Sequence, residues 1–216
     1  MYKIILASNS PRRRELLAGL DIPFEVKVIK GIDESYPESL DAYQVAEFIC
    51  KKKAEAYRSL FDEKVSSVEM NPSVVGEGQE LLVLTADTVV IAPTADEQND
   101  KEGKGVGVIL GKPKDAEDAR RMLFMLSGKT HHVVTGVCLT TKEKQRSFSV
   151  ATEVSFKEFS REEIDYYIEH YKPFDKAGAY GIQEWIGYIG CTGLKGSYFN
   201  VMGLPVQRIY EELKKL

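Results

Sequence analysis

Between residues 81 and 91 the chain reads Leu81-Leu82-Val83-Leu84-Thr85-Ala86-Asp87-Thr88-Val89-Val90-Ile91, a near-continuous apolar run with one acid in its middle. Such a run is the pattern of a strand buried on both faces, so the rest of the chain must supply layers to cover it from two sides. A carboxylate lodged there costs several kcal/mol unless a cation, a metal or a hydrogen-bond network compensates it. Asp87 therefore reads either as a functional acid or as an acid at a strand bend bonded to backbone amides.

The other elements fit that demand. Lys3 to Ala7 reads as a first strand, followed by a helix from Arg12 to about Leu20 with Ser10 as N-cap and Pro11 at the first helical position. Phe24 to Ile29 reads as a second strand. A long helix is predicted from about Ser39 to Leu60, its apolar stripe marked by Ala42, Val45, Ala46, Ile49, Ala56 and Leu60, with Lys53 on that stripe. Residues 62–80 and 95–105 read as mobile excursions, and Val106 to Leu110 returns as the second arm of a long-looped hairpin. Asp115 starts a helix, His131 to Thr140 and Gln145 to Phe156 alternate like paired antiparallel strands, and Ser160 with Glu163 forms a capping box for a helix ending near Tyr171. Residues 176–197 are glycine-rich, and Pro205 opens a last helix carrying Val206, Ile209, Tyr210 and Leu213 on one side. Strands mixed with helices throughout imply an α/β sheet covered on both faces.

Charge narrows the partners. With 29 Lys+Arg against 33 Asp+Glu the formal charge is −4, which excludes a surface built to coat nucleic acid or an anionic membrane and leaves small polyanions. The apolar stretch up to Ala7 is too short for a signal-peptide core or a membrane span, so a cytoplasmic protein is expected. Cys50, Cys138 and Cys191 stand in unrelated contexts and read as free thiols.

The chemistry-bearing residues form two main groups. Ser8-Asn9-Ser10-Pro11-Arg12-Arg13 puts hydroxyls, helix-terminal amides and two guanidiniums at one strand-to-helix turn. That is either a phosphate clamp or a serine cap followed by solvated arginines. Asp87 is the second group, and Lys53 and Lys112 are cations that either converge with the arginines or snorkel to solvent. Glu34 offers a second carboxylate for a divalent ion. His131 and His132 are adjacent, point to opposite faces of a strand and so do not share a metal. Trp185, Tyr180 and Tyr188 read either as base-stacking rings or as packing.

Taken together, Ala7-Ser8-Asn9-Ser10-Pro11-Arg12-Arg13, Ala86-Asp87-Thr88-Val89, Gly111-Lys112-Pro113, Leu126-Ser127-Gly128-Lys129-Thr130-His131, Lys176-Ala177-Gly178-Ala179-Tyr180-Gly181-Ile182-Gln183 and Gly196-Ser197-Tyr198 through Pro205 resemble the motifs of the Maf family, in the family's order. The resemblance implies an elongated mixed β-sheet flanked by helices, Maf/ITPase-like, one domain over 1–216 in two lobes around a central substrate cleft. It implies a cytoplasmic enzyme, often a homodimer, that uses a divalent metal (Mg²⁺ or Mn²⁺) to hydrolyse a nucleoside triphosphate to the monophosphate and pyrophosphate. Asp87 would be the catalytic base and, with Glu34, a metal ligand. Ser8, Arg12, Arg13, Lys53, Thr88, Lys112 and Gln183 would bind substrate.

The Ala179-Tyr180-Gly181-Ile182-Gln183 form resembles the branch acting on dTTP and UTP, with Arg13, Thr88 and Gln183 setting base choice. Glu184-Trp185 after Gln183 departs from the glycine the family commonly has there. Two rival readings accompany this one: a non-catalytic nucleotide-binding regulator of septum formation, and the same chemistry on modified nucleotides such as 7-methyl-GTP.

Overall fold

The computed structural model describes residues 2–62, 80–94 and 107–216. Most of the two excursions expected at 62–80 and 95–105, and Val106, lie outside the described residues.

The apolar run becomes β3 (Glu80–Ala92), the spine of a mixed seven-stranded sheet. Its partners are β1 (Tyr2–Leu6) in parallel, and β4 (Val108–Leu110) and β5 (Thr130–Thr140) antiparallel. The sheet continues from β1 to the parallel β2 (Phe24–Val26), and from β5 through β6 (Gln145–Phe156) to β7 (Cys191–Lys195). One edge of β3 lies along β5 from Val83 to Ile91. The other edge is divided: β1 takes Glu80 to Leu84, and β4 takes Val90 to Ala92. Residues 85–89 sit between these two partners, and Asp87 is in the middle of that window.

Alternation sorts the side chains of β3 onto two faces. Val83, Thr85, Asp87, Val89 and Ile91 face α2 (Ala42–Glu55), where Val45, Ala46 and Ile49 pack on Val89 and Ile91, and Thr85 Oγ1 donates to the Cys50 carbonyl at 2.7 Å. Leu84, Ala86, Thr88 and Val90 face the opposite layer. That layer contains α1 (Pro11–Ala18), α3 (Ala116–Leu126), α4 (Arg161–Tyr171), α5 (Trp185–Gly190), α6 (Tyr198–Met202) and α7 (Val206–Leu213). No helix among the described residues is long and apolar enough to cross a membrane.

Gly136 of β5, opposite Asp87 in the ladder, sets how closely α2 lies on the sheet. A β-carbon there would stand 2.3 Å from the carbonyl carbon and oxygen of Ala46, so only glycine permits the contact.

Several local expectations are corrected. The second strand stops at Val26 because the Tyr57 hydroxyl replaces a neighbouring strand: it donates to the Lys27 carbonyl at 3.0 Å and accepts from the Ile29 amide at 2.9 Å. The first helix ends at Ala18, short of Leu20. The long helix, expected from about Ser39 to Leu60, starts at Ala42, capped by the Asp41 carboxylate, and ends at Glu55. A 3₁₀ turn over Arg58–Phe61 follows, which exposes Ala56 and buries Ala54 and Tyr57 instead. On α7, Tyr210 is turned outward, while Glu212 is fully buried and held by Arg146, Arg208 and Lys215. The capping box at Ser160 and Glu163 is present as expected, and the three cysteines are free.

His131 and His132 do face opposite sides. His132 packs on Tyr43 of α2, and the buried His131 meets the Tyr180 hydroxyl at 2.8 Å with its ring on Phe156.

Two measurements check this architecture. Gly136→Ala is expected to lift α2 and lower stability by about 1–3 kcal/mol, the usual scale for overpacking a core, read as a shift of the urea midpoint. An unchanged midpoint would mean that α2 does not rest on β5 at Gly136. Second, burial, with His132 adding a smaller push, lowers the His131 pKa from 6.5 to about 3. Between those two values the unfolded chain binds a proton that the folded one refuses, so stability falls as pH drops from 6.5 towards 3. His131→Gln is expected to flatten that part of the pH–stability curve, and an unaltered slope would contradict the burial argument.

Candidate active site

A cleft of about 540 Å³ opens where the edge of β3 is divided, and Ser8, Arg12, Arg13, Glu34, Lys53, Asp87, Thr88, Lys112 and Gln183 all line it. These residues come from well-separated parts of the chain, and the fold brings them to one place.

At the floor, α2 carries Lys53 over the face of β3 that holds Asp87. Lys53 Nζ donates to Asp87 Oδ1 at 2.6 Å and lies 3.0 Å from Glu34 Oε1. The Lys53 and Asp87 side chains are 14% and 13% exposed, which makes this a largely desolvated pair with Glu34, half exposed, at its outer edge. Removing one member of such a pair leaves a charge without compensation, at a typical cost of about 3–5 kcal/mol. The strand-bend alternative for Asp87 is thus replaced by a specific cation partner.

The turn after β1 is both a cap and a cleft wall. Ser10 is the N-cap of α1, its hydroxyl accepting from the Arg13 amide at 3.5 Å, and the buried Ser8 hydroxyl accepts from the Ser10 amide at 3.2 Å. The two arginines then diverge. Arg13 turns inward: Nε donates to the Gly203 carbonyl at 2.8 Å, one terminal nitrogen to the Ala86 carbonyl at 2.7 Å, and the other to Thr88 Oγ1 at 3.0 Å. Burial pushes its pKa below the usual arginine value, with Asp87 acting in the opposite sense. Arg13 is therefore a staple between α1, β3 and the chain after α6, as well as a cleft residue. Arg12 crosses the mouth of the cleft to Asp175 at 2.8 Å. Lys112 stands exposed on the rim.

Several participants are not evident from sequence. Asp175 joins Arg12 to Lys176 Nζ, each at 2.8 Å, and although burial opposes it, these two hydrogen bonds hold its carboxyl at about 2. Lys176 is buried and also lies 3.0 Å from Glu184. The signal for Lys176 was a lysine in a glycine-rich motif. Nothing local marked the pairing of Arg12 with Asp175, because the two are distant in sequence. Tyr180 lines the wall, its hydroxyl occupied by His131, while Trp185 packs on Tyr166 and Tyr188 is 83% exposed. Gln183 also lines the cleft, and its amide oxygen, Oε1, is buried without a hydrogen-bond partner.

The acidic pair also bears on metal binding. Asp87 and Glu34 both reach the point held by Lys53 Nζ, and no group of three or more His, Cys, Asp or Glu converges among the described residues. Two hard oxygen donors fit a Mg²⁺- or Mn²⁺-type ion that takes its remaining ligands from phosphate oxygens and water.

A "dTTP/UTP pyrophosphatase" of Phocaeicola vulgatus is 56% identical over 215 residues, spanning 100% of this chain and 96% of that protein. Proteins of the same name from Parabacteroides distasonis and Flavobacterium psychrophilum are 51% and 44% identical, over 99% and 96% of this chain and 95% and 91% of theirs. The solved structure of a HAM1 protein from Coxiella burnetii aligns over 100% of both chains with a TM-score of 0.44 at 14% identity. The Maf-like protein family model matches residues 3–216, and with a match of that extent the chain belongs to the Maf family.

Proposed function

We propose that this chain hydrolyses dTTP and UTP to the nucleoside monophosphates and pyrophosphate. The observation that carries the reading is the concurrence in one cleft of an acid held by a lysine, further cations along the walls, and a buried amide oxygen without a partner. The full-length relatives named dTTP/UTP pyrophosphatase support it.

In this reading the triphosphate lies along the turn from Ser8 to Arg12. The α1 amides, Arg12, Lys53 and Lys112 balance its charge. Lys53 engages Asp87 Oδ1 and orients the carboxylate, whose second oxygen accepts the proton of the water that attacks the α-phosphorus. The bond from the α-phosphorus to its bridging oxygen then breaks, and pyrophosphate leaves into the cationic wall. Asp87 and Glu34 are the residues that would hold a divalent ion, whose contribution when bound is to polarise phosphoryl oxygens and acidify water. Arg13 keeps Thr88 and the Ala86 carbonyl in place beside Asp87. Gln183 reads the base: its Oε1 accepts and its Nε2 donates, which matches the N3–H and a neighbouring carbonyl of uracil or thymine.

The divided edge of β3 supports reading the chain as one domain of two lobes flanking this cleft. The cytoplasmic location and homodimeric state implied by the family resemblance belong to the same proposal.

The decisive experiment is a product-identified panel of dTTP, UTP, CTP and 7-methyl-GTP with Mg²⁺ and Mn²⁺. Pyrophosphate released in equal amount to dTMP or UMP is expected. Nucleotide binding without product would replace the enzyme by a nucleotide-binding regulator, and a preference for 7-methyl-GTP would reassign the substrate. Asp87→Asn is expected to lower kcat by about 100-fold or more, the scale of a positioned acid–base group. Near-normal turnover in that variant, with folding verified by circular dichroism, would remove Asp87 from the role of base.

A further inference from the structure

We propose that Glu184 is a positioning residue for base recognition, fixing the turn that carries Gln183 through the hydroxyl of Tyr167. This rests on the reading of the cleft as a dTTP/UTP site.

Neither Glu184 nor Tyr167 is among the residues lining the cleft, so both act from behind it. Tyr167 lies on the inner face of α4 and is fully buried. Its hydroxyl oxygen accepts the Gly181 amide at 3.0 Å, and its own proton goes to the Glu184 carboxylate. Burial first, and Glu184 second, push the Tyr167 pKa upward, so the hydroxyl keeps that proton and the direction of both hydrogen bonds is fixed.

Packing reinforces the polarity. A β-carbon at residue 181 would lie 2.8 Å from the Glu184 carboxyl carbon and 3.2 Å from Gln183 Nε2, so both side chains close on the bare α-carbon of Gly181. The second Glu184 oxygen takes Lys176 at 3.0 Å, which continues through Asp175 to Arg12. The turn is thereby held on one side by Tyr167 and on the other by charged contacts that reach the mouth of the cleft.

The consequence falls on Gln183. Gln183 lines the cleft, its Oε1 is buried without a protein partner, and a buried acceptor discriminates sharply between ligands that do and do not bring a donor. Uracil and thymine bring N3–H. Cytosine presents a bare N3 acceptor at the same place, lone pair against lone pair. Glu184 touches neither base nor phosphate, and its effect is confined to how well Gln183 is aimed.

The test compares kcat and KM for UTP, dTTP and CTP in wild type, Glu184→Ala, Tyr167→Phe and the double variant. The preference for UTP over CTP in kcat/KM is expected to fall about tenfold or more in each single variant, the scale of sub-ångström to ångström misplacement. The loss should appear mainly in the KM for UTP, with the CTP values unchanged. The double variant should lose no more than either single one, since both act through one hydroxyl. Glu184→Gln, whose amide oxygen still accepts from Tyr167, should restore the preference, and it serves if the alanine variant does not fold.

A loss shared equally by all three nucleotides would overturn the proposal, leaving Glu184 a structural residue. Additive losses, or no restoration by glutamine, would overturn the route through Tyr167. A wild-type protein that releases no pyrophosphate from UTP or dTTP would instead fail the functional reading itself, which separates the two failures.

Discussion

The structure depends on β3 being longer than either of the strands that share one of its edges. β5 satisfies the opposite edge from Val83 to Ile91, but β1 ends its pairing at Leu84 and β4 begins at Val90. A buried strand with a gap in its ladder needs side chains, ligand or water for the groups left over. Arg13 serves part of that need by bonding the Ala86 carbonyl within the gap. The gap is also why an acid can exist in the middle of an apolar strand: Asp87 opens onto a cleft on one side and meets Lys53 from α2 on the other. Gly136 belongs to the same constraint, because α2 must lie against the sheet for Lys53 to reach so far down.

Charge follows from this geometry. A chain of net charge −4 gathers Arg12, Arg13, Lys53, Lys112 and Lys176 around one cleft. Most of these cations are already engaged: Lys53 by Asp87 and Glu34, Arg12 and Lys176 by Asp175. Such pairs allow cations to be buried close together without mutual repulsion dominating. Arg12 in particular is held extended across the mouth by Asp175 rather than lying along its helix.

Much of the fold was legible locally. The uninterrupted apolar run gave β3, alternation gave the β5–β6 pair, and the Ser160–Glu163 box gave the start of α4. What failed locally failed because a distant side chain intervened. Tyr57 ended β2 early by supplying hydrogen bonds that a strand would have supplied, and Glu212 rather than Tyr210 is buried on α7, where Arg146 of β6, Arg208 of α7 and Lys215 beyond it meet its carboxylate. The cleft residues marked by motif, such as Ser8, Asp87 and Gln183, were legible as residue types in the right order. The contacts of Arg12 with Asp175 and of Tyr167 with Glu184 were not, since they join residues that the chain brings together only on folding.

The adjacent arginines show how one motif separates into two tasks. Neighbours on a helix point about 100° apart, as 3.6 residues per turn requires, so Arg12 and Arg13 cannot serve the same wall. Arg13 is driven into the sheet, where three protein acceptors take its fork and where its planar geometry suits two carbonyls and a hydroxyl better than a lysine would. Arg12 is left for the cleft mouth, with a single carboxylate partner that is itself shared with Lys176. Read from sequence the pair looks like one doubled cation. In the fold, the inner arginine builds the wall beside Asp87, and the outer one stands at the cleft mouth paired with Asp175.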